Sequence, residues 1–204
     1  YPKTIDEDIS KLENIGCNAL FLPDIQEIYP KGLAKKKIVN NFRNILCDKF
    51  RPGHFDGVTT VVDLFFNMIK PTNSYFGEKD FQQVKIIQDL VKINHHNIKI
   101  IQCPSVRDKM GMSLSSRNSK FSNDQLKIFN VLGNKIKEHI NRLTQNEINN
   151  LDQLKIELLQ NNINKIDYLE IRNENNLEIT KNYSEARLFI TCLLYTSDAA
   201  DDSL

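Results

Sequence analysis

The segment Gly57 to Lys70 carries Val58, Val61, Val62, Phe65, Phe66 and Ile69. That i, i+3, i+4, i+7 stripe predicts an amphipathic helix. Pro71 closes it, because a proline ring cannot continue a helix. A second stripe, Phe81, Val84, Ile87 and Val91, predicts a helix over 80–94. The segments around these two have a shorter rhythm. Asn73–Phe76 reads as a short strand, and so does Ile98–Gln102, which ends before Pro104. Ala19–Leu22 is a continuous apolar run stopped by Pro23, the pattern of a strand buried on both faces. Lys35–Val39 is a weaker strand candidate. Strand, helix, strand, helix, strand is the order of a parallel α/β sheet with crossover helices. At the front, Thr4-Ile5-Asp6-Glu7 reads as a capping box for a helix to about Asn14, ended by Gly16.

After Pro104 the pattern changes. Ser122-Asn123-Asp124-Gln125 is another capping box and opens a long helix to about Leu143. A further helix is predicted over 150–160, then strands at Ile166–Arg172, Leu177–Thr180 and Arg187–Leu194. The expected class is therefore α/β: a Rossmann-like parallel sheet with crossover helices over 1–104, plus a smaller C-terminal α+β domain over 105–193. The tail, 194–204, swaps the Asn/Ile/Lys bias for small and acidic residues and is expected to be non-native or disordered.

Composition narrows the function classes. A 40% hydrophobic content over 204 residues suffices for a real core. Twenty-seven basic residues against 26 acidic give a net charge of +1, without the basic excess of a nucleic-acid surface. No apolar run reaches the length of a membrane span, and Tyr1-Pro2-Lys3-Thr4 resembles neither a signal nor a transit peptide. The chain starts without Met and is expected to begin mid-protein. Cys17, Cys47, Cys103 and Cys192 are far apart with no CxxC pair, so neither a metal site nor a disulfide framework is expected. Reduced thiols fit a cytoplasmic protein.

Two segments carry candidate chemistry. Gly77-Glu78-Lys79-Asp80 stands where a predicted strand meets a helix. In open parallel sheets ligands bind beyond the carboxyl ends of strands, and the amides that open a helix favour anions. Gly77 allows close backbone approach, Lys79 adds a mobile cation, and Asp80 is placed to cap. Read alone, the tetrapeptide is as well explained by an ordinary turn with a solvated lysine. It is not a Walker A loop, lacking the spaced glycines and the Lys-Ser/Thr ending. The second segment, Gly111-Met112-Ser113-Leu114-Ser115-Ser116-Arg117-Asn118, pairs hydroxyls with one guanidinium, a compact anion clamp on a glycine-started loop. Alone it reads more simply as a polar surface loop. Gln83 falls about one turn into the helix, on the side of the Lys79 turn. The adjacent His95 and His96 are expected to be solvated, and Asp6, Glu7 and Asp8 to serve the helix dipole.

Tyr75-Phe76-Gly77-Glu78-Lys79-Asp80-Phe81-Gln82-Gln83, the Gly111–Asn118 loop and Arg51-Pro52-Gly53-His54-Phe55 together resemble the pantothenate synthetase family, over Tyr1 to about Ile190. The resemblance implies an ATP-dependent ligase that joins pantoate to beta-alanine through a pantoyl adenylate, releasing pyrophosphate and then AMP, on the way to coenzyme A. By position it implies that Lys79, Ser115, Ser116 and Arg117 meet the ATP phosphates and act in catalysis. Gly77, Glu78, Asp80, Val106 and Leu114 complete the ATP segment. Gln83 contacts pantoate, and His54 faces the same pocket. It implies Mg²⁺ held mostly by the phosphates, no protein metal site, and a homodimer when full length. The family's His-x-Gly-His motif, a further glutamine and the first strand of the sheet lie upstream and are not in this sequence. From this an inactive chain with an unpaired sheet edge is expected. The rival readings are another adenylate-forming or nucleotidyl-transferring enzyme of the superfamily, and an inactive nucleotide-binding fragment.

Overall fold

The computed structural model describes residues 5–32, 35–95, 97–109, 111–115, 118, 121–145, 151–161, 163 and 165–193. The chain forms two compact units, residues 1–36 and 37–204. In the first, α1 (Ile5–Asn14) and α2 (Ile25–Ile28) are joined by irregular chain. Asp6, Glu7 and Asp8 fill the first turn of α1, and Gly16 ends the helical stretch in the left-handed region at φ 77°. Thr4, the expected cap, lies outside the described residues. The Ala19–Leu22 strand does not form. Leu20, Phe21 and Leu22 are 45%, 52% and 58% exposed, and no described strand pairs with them. An apolar run becomes a strand only when a ladder satisfies its amides and carbonyls, and hydrophobicity by itself supplies no ladder.

The second unit holds α3 (Leu46–Phe50), α4 (His54–Ile69), β1 (Asn73–Gly77), a 3₁₀ turn (Glu78–Asp80), α5 (Phe81–Asn94) and β2 (Lys99–Cys103). It continues with α6 (Asn123–Thr144), α7 (Asp152–Gln160), β3 (Lys165–Asn173), a second 3₁₀ turn (Tyr183–Glu185) and β4 (Ala186–Leu193). β1 and β2 pair in parallel, from Asn73↔Lys99 to Gly77↔Cys103, with α5 as the crossover. β3 and β4 pair antiparallel, with an irregularity between Ile166 and Tyr168. The α/β class read from the pattern is the observed one. No described helix is long and apolar enough to cross a membrane.

α4 starts three residues before the stripe predicted, because Gly53 takes φ 79° as its N-cap, a conformation that costs other residues a clash. Of the stripe, Val58, Val62 and Phe66 pack into the core shared with α5, while Ile69 is 52% exposed. Phe55 and Phe66 join Ile86, Ile87, Leu90, Val91, Val39 and Ile98 in one core, with Phe76 and Ile100 of the sheet packed against it. Lys35–Val39 is not a strand. Thr60 Oγ1 accepts from the Lys37 amide at 2.9 Å and the Thr59 hydroxyl donates to the Lys37 carbonyl, so α4 side chains replace a ladder partner. His95 is not solvated. It caps α5 and its Nε2 sits 2.7 Å from Asp63 Oδ1, with a side chain 9% exposed. His96 lies outside the described residues.

The Ser122 capping box of α6 forms as predicted, with the Gln125 amide donating to Ser122 Oγ and Gln125 Oε1 accepting from the Ser122 amide. Leu132, Leu154, Leu158, Ile163 and Ile166 make the second core, between α6, α7 and β3. Leu177–Thr180 makes one isolated bridge, Arg172↔Ile179, in place of a strand. Leu177 takes a positive φ of 58°, which breaks strand alternation, and its side chain turns into a third core with Leu46, Phe81 and Phe189. The tail from 194 onward lies outside the described residues.

Candidate active site at the carboxyl end of the parallel pair

Gly77 and Cys103 are the last residues of β1 and β2 and lie side by side in register. Beyond them opens a cleft of about 420 Å³ lined by Gly77, Lys79, Pro104, Ser105, Val106, Ser113 and Leu114. The far wall is a turn. The Leu114 amide donates to the Val106 carbonyl, Arg107 bridges Ser113, and Arg107 Nη1 donates to the Gly111 carbonyl at 2.9 Å. Asp108 closes the turn by accepting the Met112 amide at 2.9 Å, and Gly111 supplies the positive φ of 86° that it requires. Lys79 crosses the cleft, its ammonium 3.4 Å from the Leu114 carbonyl. Gly77 has an ordinary φ of −74°, and a Cβ there would meet no atom within 4 Å. Its lack of a side chain leaves room at the cleft wall and relieves no backbone strain.

Of the residues picked out by the sequence, the cleft brings together Gly77, Lys79, Val106 and Leu114. Ser115 follows Leu114 directly and is half-buried. Ser116 and Arg117 lie outside the described residues. Glu78 is held outside the lining by Gln102 and Arg187. Asp80 stands at the N-cap of α5, but its carboxylate makes no capping hydrogen bond. Gln83 lies in the first turn of α5, half-buried, clear of the cleft lining. Its neighbour Gln82 is structural, donating to the carbonyls of Phe42 at 2.8 Å and Ile45 at 3.0 Å. Ser113 belongs to the Gly111–Asn118 segment already singled out, whereas sequence reasoning misses Pro104 and Ser105 as lining residues, and adjacency to Val106 is the signal that could have found them. No carboxylate is in the described lining, and no described group of three or more His, Cys, Asp or Glu is placed to hold a metal ion.

His54 opens α4 outside the cleft lining, in electrostatic reach of Arg51, Asp80 and Asp48. Burial lowers its pKa below 6.5 and the Arg51 charge acts the same way, while Asp80 and Asp48 oppose. Nearby, burial pushes the Cys47 thiol up, and Tyr168 is pushed up to about 12, first by burial and then by Cys47 and the carboxylates of Asp167 and Asp80. The unfolded chain, with the ordinary histidine value, therefore takes up the His54 proton before the folded chain does as pH falls. Stability linked to His54 is complete above about pH 6.5 and is lost as pH falls from there through the folded pKa. His54→Gln should flatten the decline of the thermal midpoint between pH 7 and 5. Equal slopes in the two proteins would show that His54 titrates alike folded and unfolded.

A sequence model described as pantoate-beta-alanine ligase matches residues 1–200. The chain belongs to the pantoate-beta-alanine ligase family. Among curated relatives, pantothenate synthetase of Marinomonas sp. is 38% identical over 206 residues, covering 98% of this chain and 72% of that protein. The Thermodesulfovibrio yellowstonii pantothenate synthetase is 39% identical over 147 residues, 72% of this chain and 52% of that protein. The matched region thus spans about half the length of some relatives. Among solved structures, the Thermus thermophilus enzyme superposes with a TM-score of 0.85 at 30% identity, over 95% of this chain and 72% of that one. The Francisella tularensis pantoate-beta-alanine ligase, complexed with beta-gamma ATP and beta-alanine, gives 0.73 at 36% identity, over 83% of this chain and 62% of that one.

Proposed function

We propose that this chain belongs to an ATP-dependent ligase that condenses pantoate with beta-alanine to pantothenate through a pantoyl adenylate, a step toward coenzyme A. The observation that carries the reading is the Lys79 turn at the carboxyl end of β1, facing the Val106–Leu114 turn across the cleft, in a chain of this family. The ATP and beta-alanine named for the Francisella structure support the same substrates here.

In this reading the pantoate carboxylate attacks the α-phosphorus of ATP and pyrophosphate leaves. The beta-alanine amine then attacks the acyl carbon, and AMP departs. Charge builds on the phosphate oxygens in the first step, so fixed donors stabilise that transition state better than water, which must reorient. Lys79 supplies a cation from one wall, and Ser115, Ser116 and Arg117 supply hydroxyls and a guanidinium fork from the segment that follows the other. Gly77, Glu78, Asp80, Val106 and Leu114 form the remainder of the ATP segment, and residues 105–193 act as the domain that covers it. The described lining residues include no carboxylate, which does not suit a protein-built cage, so Mg²⁺ belongs with the phosphates of its nucleotide. A homodimer in the cytoplasm completes the proposal.

AMP release that requires ATP, pantoate and beta-alanine together tests the reaction. AMP release independent of pantoate or of beta-alanine would exclude it. Gln83 and His54 are assigned to the pantoate side, so Gln83→Ala should raise the KM for pantoate more than the KM for ATP. An equal rise for both would remove Gln83 from the acid pocket.

A further inference from the structure

Glu78 sits between two residues of the cleft lining yet is not part of it. Both of its carboxylate oxygens are occupied elsewhere. Oε1 accepts from Gln102 Nε2 of β2 at 2.7 Å, and Oε2 pairs with Arg187 Nη2 of β4 at 3.2 Å. The same guanidinium lies over the ring of Phe81, 4.2 Å from its centroid. Phe81 is the first residue of α5, is 5% exposed, and meets Phe189 of β4 edge-on at 5.8 Å. Arg187 Nε also lies 3.3 Å from Glu174 Oε1. One side chain of the C-terminal hairpin thus touches the residue before Lys79-Asp80 and the residue after it. Arg187 is absent from the cleft lining, so anything it does there passes through that turn.

We infer that Arg187 is a positioning residue that clamps the Gly77–Phe81 turn at both ends and so fixes where Lys79 stands in the cleft. The inference rests on the reading of Lys79 as an ATP-phosphate contact. Arginine suits the task because its flat face covers the Phe81 ring while its edge meets two carboxylates. The clamp also links the β3–β4 hairpin mechanically to the nucleotide side of the parallel pair. A plain stabilising ion pair would share the contacts but would not act on Lys79.

The test uses the 204-residue chain, calorimetric titration with ATP, and amide hydrogen exchange across residues 77–82. Arg187→Gln should weaken ATP binding about tenfold, the effect of losing one charge-assisted contact, and should speed exchange in the turn. Arg187→Lys should restore part of both, and Glu78→Gln should reproduce both from the other side of the pair. In a Lys79→Ala background, Arg187→Gln should add little to the loss of ATP affinity. Unchanged exchange across 77–82 in Arg187→Gln and Glu78→Gln overturns the inference, as do losses from Arg187→Gln and Lys79→Ala that multiply in full. If Lys79→Ala binds ATP as the parent does, the reading of Lys79 fails instead, and the exchange data still decide whether Arg187 holds the turn. If Arg187→Gln does not fold, Glu78→Gln carries both measurements.

Discussion

In the full-length protein, Lys79→Ala is expected to slow pantoyl-adenylate formation by about 10²- to 10³-fold, roughly 3 kcal/mol, the typical cost of removing one preorganised donor from a developing oxyanion. Lys79 is the one charged residue among the described residues lining the cleft. Its neighbours there are glycine, proline, serine, valine and leucine, which bring neutral groups at best. Its ammonium already reaches across to the Leu114 carbonyl, so the side chain is extended over the space a phosphate would fill. At 3.4 Å that bond is long, and a phosphate oxygen offers a charged acceptor in its place. Lys79→Arg should recover little, because a planar fork on a different stem cannot occupy the position of a compact ammonium. The measurement is pyrophosphate release from ATP and pantoate without beta-alanine, which isolates the first step. Release near the parental rate in Lys79→Ala would remove Lys79 from the chemistry.

The sequence displayed that turn because the information is local. A strand, a glycine, a lysine and the opening of a helix occupy consecutive positions, and the parallel-sheet rule says where ligands approach. The stripes of α4 and α5 were legible for the same reason, since helical periodicity is written in adjacent residues. Glu78 was legible as part of the segment, but its partners Gln102 and Arg187 were not. Arg187, to which it is paired, is 109 residues away in the chain, and no spacing rule reaches so far. The misreading of Ala19–Leu22 has the opposite cause: the local signal was strong, but a strand depends on a partner that the run itself does not encode. Lys35–Val39 shows how such a segment can be satisfied otherwise, by hydroxyls of Thr59 and Thr60 on a helix whose apolar face gave no hint of them.

Asp63→Ala is expected to destabilise the protein by about 3 kcal/mol, the cost of breaking a buried polar pair by removing one partner. Asp63 lies on α4 and is 4% exposed. Its Oδ1 stands 2.7 Å from His95 Nε2, while its Oδ2 takes Lys37 Nζ at 3.3 Å and Asn67 Nδ2 at 3.3 Å. One carboxylate thereby ties α4 to the residue that caps α5 and to the segment preceding α3. The partners are unequal. Lys37 has a side chain 44% exposed and can turn to water, so Lys37→Ala should cost no more than about 1 kcal/mol. His95 is 9% exposed and packs edge-on against Phe66 at 5.5 Å, so without Asp63 its Nε2 stays buried with no acceptor or donor of equal geometry. Asp63→Asn keeps the shape and one hydrogen-bonding edge, and should fall between the two. Urea midpoints at constant m-value give the three numbers. If Asp63→Ala costs no more than Lys37→Ala, the exposed pair carries the interaction, and α4 and α5 are held by their apolar contact alone.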